Sequence, residues 1–301
     1  MNPTDLTIET FLALRETFFS QDGSPKPFRL REKRNTQDDP LDEHIAVVLS
    51  KGLRSSRCQK APGPLISPDL VVYRPEMCDG VRKELLREDP ARIVAIEVKK
   101  LERTRSGQVA RSTGLDYNTT PPCGTVRVYD VDDNPIEIRG FYLFACQERA
   151  RNGRVLVSAL TLCDGNALNA DFDLYLKITG QRQKGLGLGT YGDGVNRNRP
   201  MLIFSNPLGA AQLDHAATLI TPENLSSPDV RVSVAYQIGR TLPEGGRGVF
   251  AVRKLAADIP RDWETQLLVD PFPKPVSRVS TTQQRGRFRV PIRPDCAGQD
   301  R

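Results

Sequence analysis

Two acidic residues and a lysine stand in or beside apolar runs of this sequence, in places where a charged side chain needs an explanation. Asp69 directly precedes one such run, and Glu97 and Lys99 lie within a second, β-branched run. Charged residues are rarely buried unless they are paired or hold a metal. Because residues two apart in a strand share a face, we expect Glu97 and Lys99 to lie side by side at a sheet edge, with Ile96 and Val98 turned to the opposite, packed side.

The chemistry that suits these residues is metal-assisted hydrolysis of a phosphodiester. Mg²⁺ prefers an octahedral shell of oxygen atoms and takes only one or two protein carboxylates, leaving positions for water and substrate phosphate. Asp69 and Glu97 could supply the carboxylates, and the backbone carbonyl of Val98 could supply a third oxygen. A bound metal lowers the pKa of a coordinated water, and Lys99 would orient that water or stabilise the developing charge.

The residue types and the spacing of the two motifs are similar to those of a known group of enzymes. Pro68-Asp69, followed 28 positions later by Glu97-Val98-Lys99, resembles the PD-(D/E)XK nuclease superfamily, and most of all its type II restriction endonucleases. The resemblance implies that Asp69 and Glu97 bind the metal and that Lys99 is the catalytic lysine. It also implies a homodimer, since most such enzymes are two-fold dimers that cut palindromic sites. The same residues are compatible with a surface hairpin that carries a Glu–Lys pair.

A helix that begins at Asp39-Pro40 should precede the motif strand, because an N-cap residue followed by proline favours a helix start. In the family that the chain resembles, the corresponding helix often adds an acid to the metal site. Glu43 is the first candidate for this further ligand and Asp42 the second. The alternative is that these acids are favoured only by the helix dipole.

Composition sets the outer limits of these expectations. The chain has 301 residues, of which 38% are hydrophobic and 27% charged, with a net charge of +6 and a pI near 9.0. This balance is typical of a soluble protein and favours a polyanionic partner. No apolar run approaches a membrane span and the N-terminus lacks a signal peptide, so we expect a cytoplasmic protein of a bacterium or archaeon with no membrane partner.

The sequence shows no motif for a zinc site, a catalytic triad or a nucleotide cofactor. The six cysteines are scattered without zinc-site spacing, and the two histidines, His44 and His215, are too isolated to build a triad. The glycine-rich run 185–189 lacks the spacing of a nucleotide fingerprint, so no nucleotide cofactor is expected. Reduced thiols and Mg²⁺ as the cofactor are the predictions that remain.

Basic loops are the expected contacts with double-stranded DNA. Residues 103–124 combine guanidiniums with amide and hydroxyl groups directly beyond the catalytic strand, and residues 177–200 form a glycine-rich basic loop. Such side chains contact phosphates and base edges. The predicted DNA-binding residues are Arg103, Arg105, Arg111, Asn118, Thr119, Thr120, Arg182, Lys184, Arg197 and Arg199. The alternatives are a buried structural loop for the first segment and a solvated loop for the second.

Two further basic segments are left with two interpretations each. The segment 26–39 could touch DNA phosphate or could be a solvated connector. The proline-rich tail 270–301 is either an extended arm that wraps DNA or a partner subunit, or a disordered basic terminus.

Periodicity predicts an α/β fold with a mixed central sheet flanked by helices. We expect a first helix capped by Thr4, a loop over 54–65, strands at 68–73 and 93–99, and a hairpin over 125–138. Further strands are predicted at 140–146, 154–162, 201–204, 230–238 and 249–252, with helical segments at 81–87 and 210–219 and a last helix around Trp263, Leu267 and Leu268.

The combined prediction is one elaborated nuclease domain over residues 1–301, with a restriction-endonuclease-like catalytic core at about 41–165; the resemblance itself covers about 41–148. Its function would be Mg²⁺-dependent, site-specific endonuclease hydrolysis of DNA within a restriction-modification system. Two alternatives stay open: a structure-specific repair or recombination nuclease, and a non-catalytic DNA-binding protein.

Overall fold

The computed structural model describes residues 5–35, 39–53, 55–63, 66–103, 109–110, 124–167, 217–224, 229–241, 247–268 and 286–295. The helices within these ranges are α1 (Leu6–Phe18), α2 (Pro40–Gly52), α3 (Pro75–Cys78) and α4 (Lys83–Glu88). The strands are β1 (Arg57–Lys60), β2 (Leu70–Tyr73), β3 (Ile93–Arg103), β4 (Val109–Ala110), β5 (Thr125–Tyr129), β6 (Pro135–Arg149), β7 (Val155–Asp164), β8 (Ala217–Pro222), β9 (Val232–Thr241), β10 (Arg247–Leu255) and β11 (Gln266–Leu268).

All of these strands belong to one mixed sheet. Its order is β1-β2-β3-β6-β7-β8-β10-β9-β11, with β4 paired to β3 and β5 paired to β6. The neighbours are antiparallel except for β3 with β6, β7 with β8 and β9 with β11. The predicted α/β class with a mixed central sheet is thereby confirmed at this coarse level.

The two longer helices begin where short polar side chains cap them. The Asp39 side chain accepts a hydrogen bond from the Leu41 N–H, and Pro40 is the first helical residue, as the sequence predicts. Helix α1 is capped by Asp5, which accepts from the Thr7 N–H at 2.7 Å. Thr4, the predicted cap, lies outside the described residues. Such caps satisfy backbone N–H groups that have no partner inside the helix.

Apolar side chains fill both faces of the sheet. One core lies between the sheet and helices α1 and α2, and it contains Ile96 and Val98, which confirms that these two residues turn to a packed side. On the opposite face, α3, α4 and a C-terminal segment cover β2, β3 and β5. A third cluster continues along β6–β10. Both faces of the central strands are thus covered in part, and Glu97 and Lys99 of β3 are buried.

Three predicted elements differ from the structure. Residues 57–60, predicted as loop, form edge strand β1, because these four residues find backbone partners on β2. Residues 217–219, predicted as the end of a helix, open strand β8. The predicted last helix is instead β11, which pairs with β9, and the Trp263 indole N–H reaches the Ala235 carbonyl at 2.9 Å. The predictions for 201–204 and 210–216 fall outside the described residues.

The C-terminal segment 286–295 also differs from what the sequence suggests. Phe288, Val290 and Ile292 are fully buried against β5 and β6, and the Tyr129 N–H donates to the Phe288 carbonyl at 2.9 Å. This part of the tail therefore packs on the core of its own chain instead of extending as an arm.

Within the part of the chain that the structure describes, no helix is long and apolar enough to cross a membrane.

Candidate active site

The pairing of β2 with β3 brings the two motifs together. Leu70 is the partner of Ile96 in this antiparallel pair, so one further step along both strands sets Asp69 opposite Glu97. Directly opposite residues of an antiparallel pair share a face, with Cβ atoms about 5 Å apart. The Val98 N–H donates to Asp69 Oδ2 at 2.8 Å. The register therefore brings the Asp69 and Glu97 motifs into direct contact.

Glu97 and Lys99 form a buried pair on β3. Each is 7% exposed, and Lys99 Nζ donates to Glu97 Oε1 at 3.1 Å. In the parallel pairing with β6, Tyr142 is the partner of Glu97 and Phe144 is the partner of Lys99. The predicted side-by-side placement is confirmed, but not at a sheet edge, because β3 lies between β2 and β6. The aromatic neighbours on β6 leave the pair little contact with water.

A serine that the sequence reading missed completes the contacts of Glu97. Ser67 is buried, and its hydroxyl donates to Glu97 Oε2 at 3.1 Å. Both oxygens of the carboxylate are thus held, one by an ammonium and the other by a hydroxyl. The only signal in the sequence was the position of Ser67, two residues before Asp69, which on its own does not indicate which side chain it meets.

Helix α2 contributes Asp42 to this cluster. Burial, together with the charges of Asp39 and Glu97 and against the opposing charges of Lys60 and Lys99, raises the pKa of Asp42 to about 7. Asp69 is affected in the same way, because burial and then the charges of Glu97 and Asp42 raise its pKa well above the usual value. Three carboxyl groups therefore interact within one region.

Glu43, the first candidate for a further ligand, makes different contacts. Its carboxylate accepts from Arg31 Nε at 2.8 Å, and this hydrogen bond lowers the pKa of Glu43. The interactions with Glu97 and Asp69 come from Asp42 instead. Of the two candidates, Asp42 interacts through its charge with Glu97 and Asp69, whereas Glu43 is engaged by Arg31.

Lys99 keeps its positive charge in this environment. Burial lowers its pKa, but the surrounding charges of Glu97, Asp69 and Asp42 more than offset that effect, so its pKa lies above the usual value. Three acids accordingly face a single buried amine. An excess of negative charge in a mostly buried place is expensive unless a cation compensates it.

The donor set fits a hard divalent cation. Within the described ranges, no group of three or more His, Cys, Asp or Glu side chains is arranged to hold a metal by itself. Mg²⁺ does not need such a group, because it binds through one or two carboxylates and keeps several waters. Asp69 and Glu97 would hold the ion, with Asp42 near; the Val98 carbonyl as third ligand stays a prediction.

The predicted DNA contacts cannot be placed. The side chain of Arg103, at the end of β3, lies outside the described part of the structure. The same holds for Arg105, Arg111, Asn118, Thr119, Thr120, Arg182, Lys184, Arg197 and Arg199. Their roles stay predictions. The expectation of reduced thiols is confirmed for Cys58 and Cys78, which are free cysteines.

Comparison with known proteins adds no relative: no protein-family model, curated protein or solved structure matches this chain.

Proposed function

We propose that this protein is a Mg²⁺-dependent endonuclease of the PD-(D/E)XK type that cuts double-stranded DNA at specific sites, as a type II restriction enzyme does. The observation that carries the proposal is the cluster of Asp69, Glu97 and Lys99, in which the three residues of the motif interact across two paired strands. A surface hairpin with an exposed Glu–Lys pair would not bury these groups. The mixed sheet and the acid-bearing helix α2 agree with the core that the resemblance implies.

Each side chain has a distinct role in this mechanism. Mg²⁺, when bound, would lower the pKa of a water and offset charge on the phosphate. Glu97 is held at both oxygens, so its orientation is fixed before a ligand arrives. Asp69 is oriented by the Val98 N–H. The Lys99 ammonium would position the attacking water or stabilise the negative charge that develops on the phosphate.

The test is digestion of plasmid DNA of known sequence with Mg²⁺ and with EDTA, followed by mapping of the ends. We expect discrete fragments that require the metal, and a loss of at least about a hundredfold in rate for Asp69→Asn, Glu97→Gln and Lys99→Ala. Glu43→Gln is the matched control, because this nearby acid is engaged by Arg31, and it should keep most of the activity.

Two outcomes would redirect the proposal. Cleavage confined to nicked or branched substrates would indicate a repair or recombination nuclease. DNA binding without cleavage by the wild type, unchanged in Asp69→Asn, would indicate a binding protein whose acids serve only as ion pairs. The proposal includes a homodimer, which sedimentation of the DNA complex would measure.

A further inference from the structure

Cations from several segments surround the first turn of α2, on the outside of the acidic cluster. Arg31 bonds to Glu43, and Lys100 Nζ lies 3.8 Å from Asp39 Oδ2. Lys60, at the end of β1, lowers the pKa values of Asp42 and Glu43 through its charge. Together these contacts define a ring of positive charge around the acids.

Lys60 is the most available cation of this ring. It is exposed, and within the described part of the chain its side chain makes no hydrogen bond or ion pair. Its position is nevertheless fixed, because Lys60 pairs with Leu70 in the sheet and the next N–H, that of Ala61, donates to the Asp69 carbonyl at 2.8 Å. The backbone that carries this exposed side chain is thus held beside the Asp69 motif.

The segment that carries Arg31 and Arg34 is fixed as well. Phe28 exchanges backbone hydrogen bonds of 2.8 and 2.9 Å with Val155, and its ring stacks on His44 of α2 at 4.7 Å. The charge of Arg34 reaches Glu43, whose pKa it lowers. Arg34 is exposed to solvent. The part of the basic segment around Phe28 therefore lies against α2, and its contact with DNA phosphate, one of the two interpretations from the sequence, stays a prediction.

The distribution of charge suggests what this ring is for. The interior of the site holds three carboxyl groups and one lysine, and this arrangement repels a phosphate. A polyanionic backbone can approach only if cations at the rim compensate for that repulsion. Arg31, Arg34 and Lys60 come from two separate segments that converge on one turn of α2, as a surface built to contact successive phosphates requires.

We propose that Lys60, Arg31 and Arg34 form a phosphate-binding rim, which holds the sugar-phosphate backbone of a nucleic acid next to the acidic site. The rim lies outside the two loops in which DNA contacts were predicted from the sequence. The inference rests on the proposed nuclease function for the identity of its ligand. Its contacts would be independent of base sequence, because they involve phosphate oxygens alone.

The test measures binding of the full-length protein to a duplex of 30 base pairs, with Ca²⁺ in place of Mg²⁺, over a series of salt concentrations. Each lost phosphate contact should reduce the slope of log K against log salt by about 0.9 and weaken binding several-fold. We expect this result for Lys60→Ala and Arg34→Ala, a larger loss for Lys60→Glu, and an unchanged slope for Lys60→Arg. Lys51→Ala, an exposed lysine at the other end of α2, is the control and should match the wild type.

Cleavage by the wild type, assayed in parallel, separates the two proposals. If the wild type cleaves DNA but Lys60→Glu and Arg34→Ala bind with wild-type affinity and slope, the rim is refuted while the nuclease stands. If the wild type does not cleave but these variants bind more weakly than Lys51→Ala, the rim stands and the nuclease proposal fails. Circular dichroism of each variant identifies any loss of affinity that comes from misfolding. If a variant is misfolded, the charge-conserving Lys60→Arg tests the rim, because an unchanged salt slope in this variant supports it and a reduced slope contradicts it.

Discussion

Asp164 is buried and Asp69 is partly buried, and the neighbours of these two aspartates act on their carboxyl groups in opposite ways. Asp164, at the end of β7, is 1% exposed in its side chain; it accepts from Arg139 Nε and Nη2 at 2.9 and 2.7 Å, and from the Asn166 N–H at 2.8 Å. Burial raises the pKa of Asp164, and every neighbour opposes that shift. Burial also raises the pKa of Asp69, but there Glu97 and Asp42 raise it further.

The comparison separates an ion pair that serves the fold from a cluster that needs something else. Arg139 neutralises Asp164 within the chain, so the pair is complete. At Asp69 the acids outnumber the buried amine, and the remaining negative charge is stabilised only by protonation or by a cation from outside. Burial alone does not identify a site; the balance of charge among buried groups does.

The largest effect on stability should come from breaking the complete pair. Arg139→Ala leaves Asp164 buried without its partner, and we expect a loss of about 3 to 5 kcal/mol in the free energy of unfolding. Asp69→Asn, measured in EDTA at pH 7.5, should cause no comparable loss because it removes one of several repelling acids. Urea denaturation of both variants measures the difference.

A double variant checks the explanation for Arg139. In Arg139→Ala/Asp164→Ala no buried charge is left alone, so a large part of the stability should return, with a coupling energy clearly different from zero. Equal destabilisation by Arg139→Ala and Asp69→Asn would remove the distinction between the two regions.

The second prediction concerns the missing cation. A ligand that binds only the folded state stabilises it by mass action, so Mg²⁺ or Mn²⁺ at about a hundred times its Kd should raise the Tm by about 5 °C. The rise should vanish in Asp69→Asn and Glu97→Gln, and it should persist in Glu43→Gln. Thermal unfolding with metal and with EDTA is the measurement, and a wild-type Tm indifferent to both metals would contradict the excess-charge argument.

The third prediction uses two neighbouring acids of opposite behaviour. The pKa of Asp42 is raised to about 7 from its usual 3.8, so without metal its contribution to stability is full below about pH 4 and is lost as the pH rises through 7. Asp42→Asn removes this loss, and in EDTA at pH 8 its Tm should exceed that of the wild type by about 2 to 5 °C.

Glu43→Gln should change the stability at pH 8 in the opposite direction. The pKa of Glu43 is lowered by its hydrogen bond to Arg31, so its contribution is present above the usual carboxyl pKa and is lost as the pH falls. This variant should therefore be less stable than the wild type at pH 8. If Asp42→Asn also proved less stable at pH 8 in EDTA, Asp42 would not belong to the repelling group.

The sequence was sufficient to predict the parts of the site that depend on strand alternation. Glu97 and Lys99 share a face because they are two residues apart in a strand. The same alternation of side chains places Ile96 and Val98 on the opposite, packed face. The approach of Asp69 also depended on the pairing register of β2 with β3, which the resemblance to a known motif anticipated.

Choices that depend on three-dimensional packing were out of reach. Asp42 and Glu43 are adjacent on the polar side of one helix, and only the docking of α2 decides which acid faces the sheet and which meets Arg31. Strand β1 has three polar residues and Cys58, with no clear alternation, and it gains its backbone partners from β2. Strand β11 has three residues, which are too few to show the alternation of a strand. Its two leucines therefore do not distinguish a strand from a helix in the sequence.

The smallest expected effect comes from Ser67, which positions Glu97 without belonging to the motif. A hydrogen bond to a charged group is worth about 1.5 to 3 kcal/mol, so Ser67→Ala should slow cleavage by about tenfold or somewhat more. The Mg²⁺ concentration for half-maximal rate should rise, because Glu97 then depends on Lys99 alone for its orientation. Ser67→Thr keeps the hydroxyl and should recover much of the rate.

Ser56→Ala is the matched control, since Ser56 is equally buried and donates to a carboxylate outside the site, that of Glu9, at 3.2 Å. Both substitutions delete a hydroxyl bonded to an acid, so their costs in folding stability should be similar. Only the loss at Ser67 should change the metal requirement of cleavage. If both variants kept the wild-type metal requirement, the hydroxyl of Ser67 would merely support the fold, and the orientation of Glu97 would have to come from Lys99 and the strand itself.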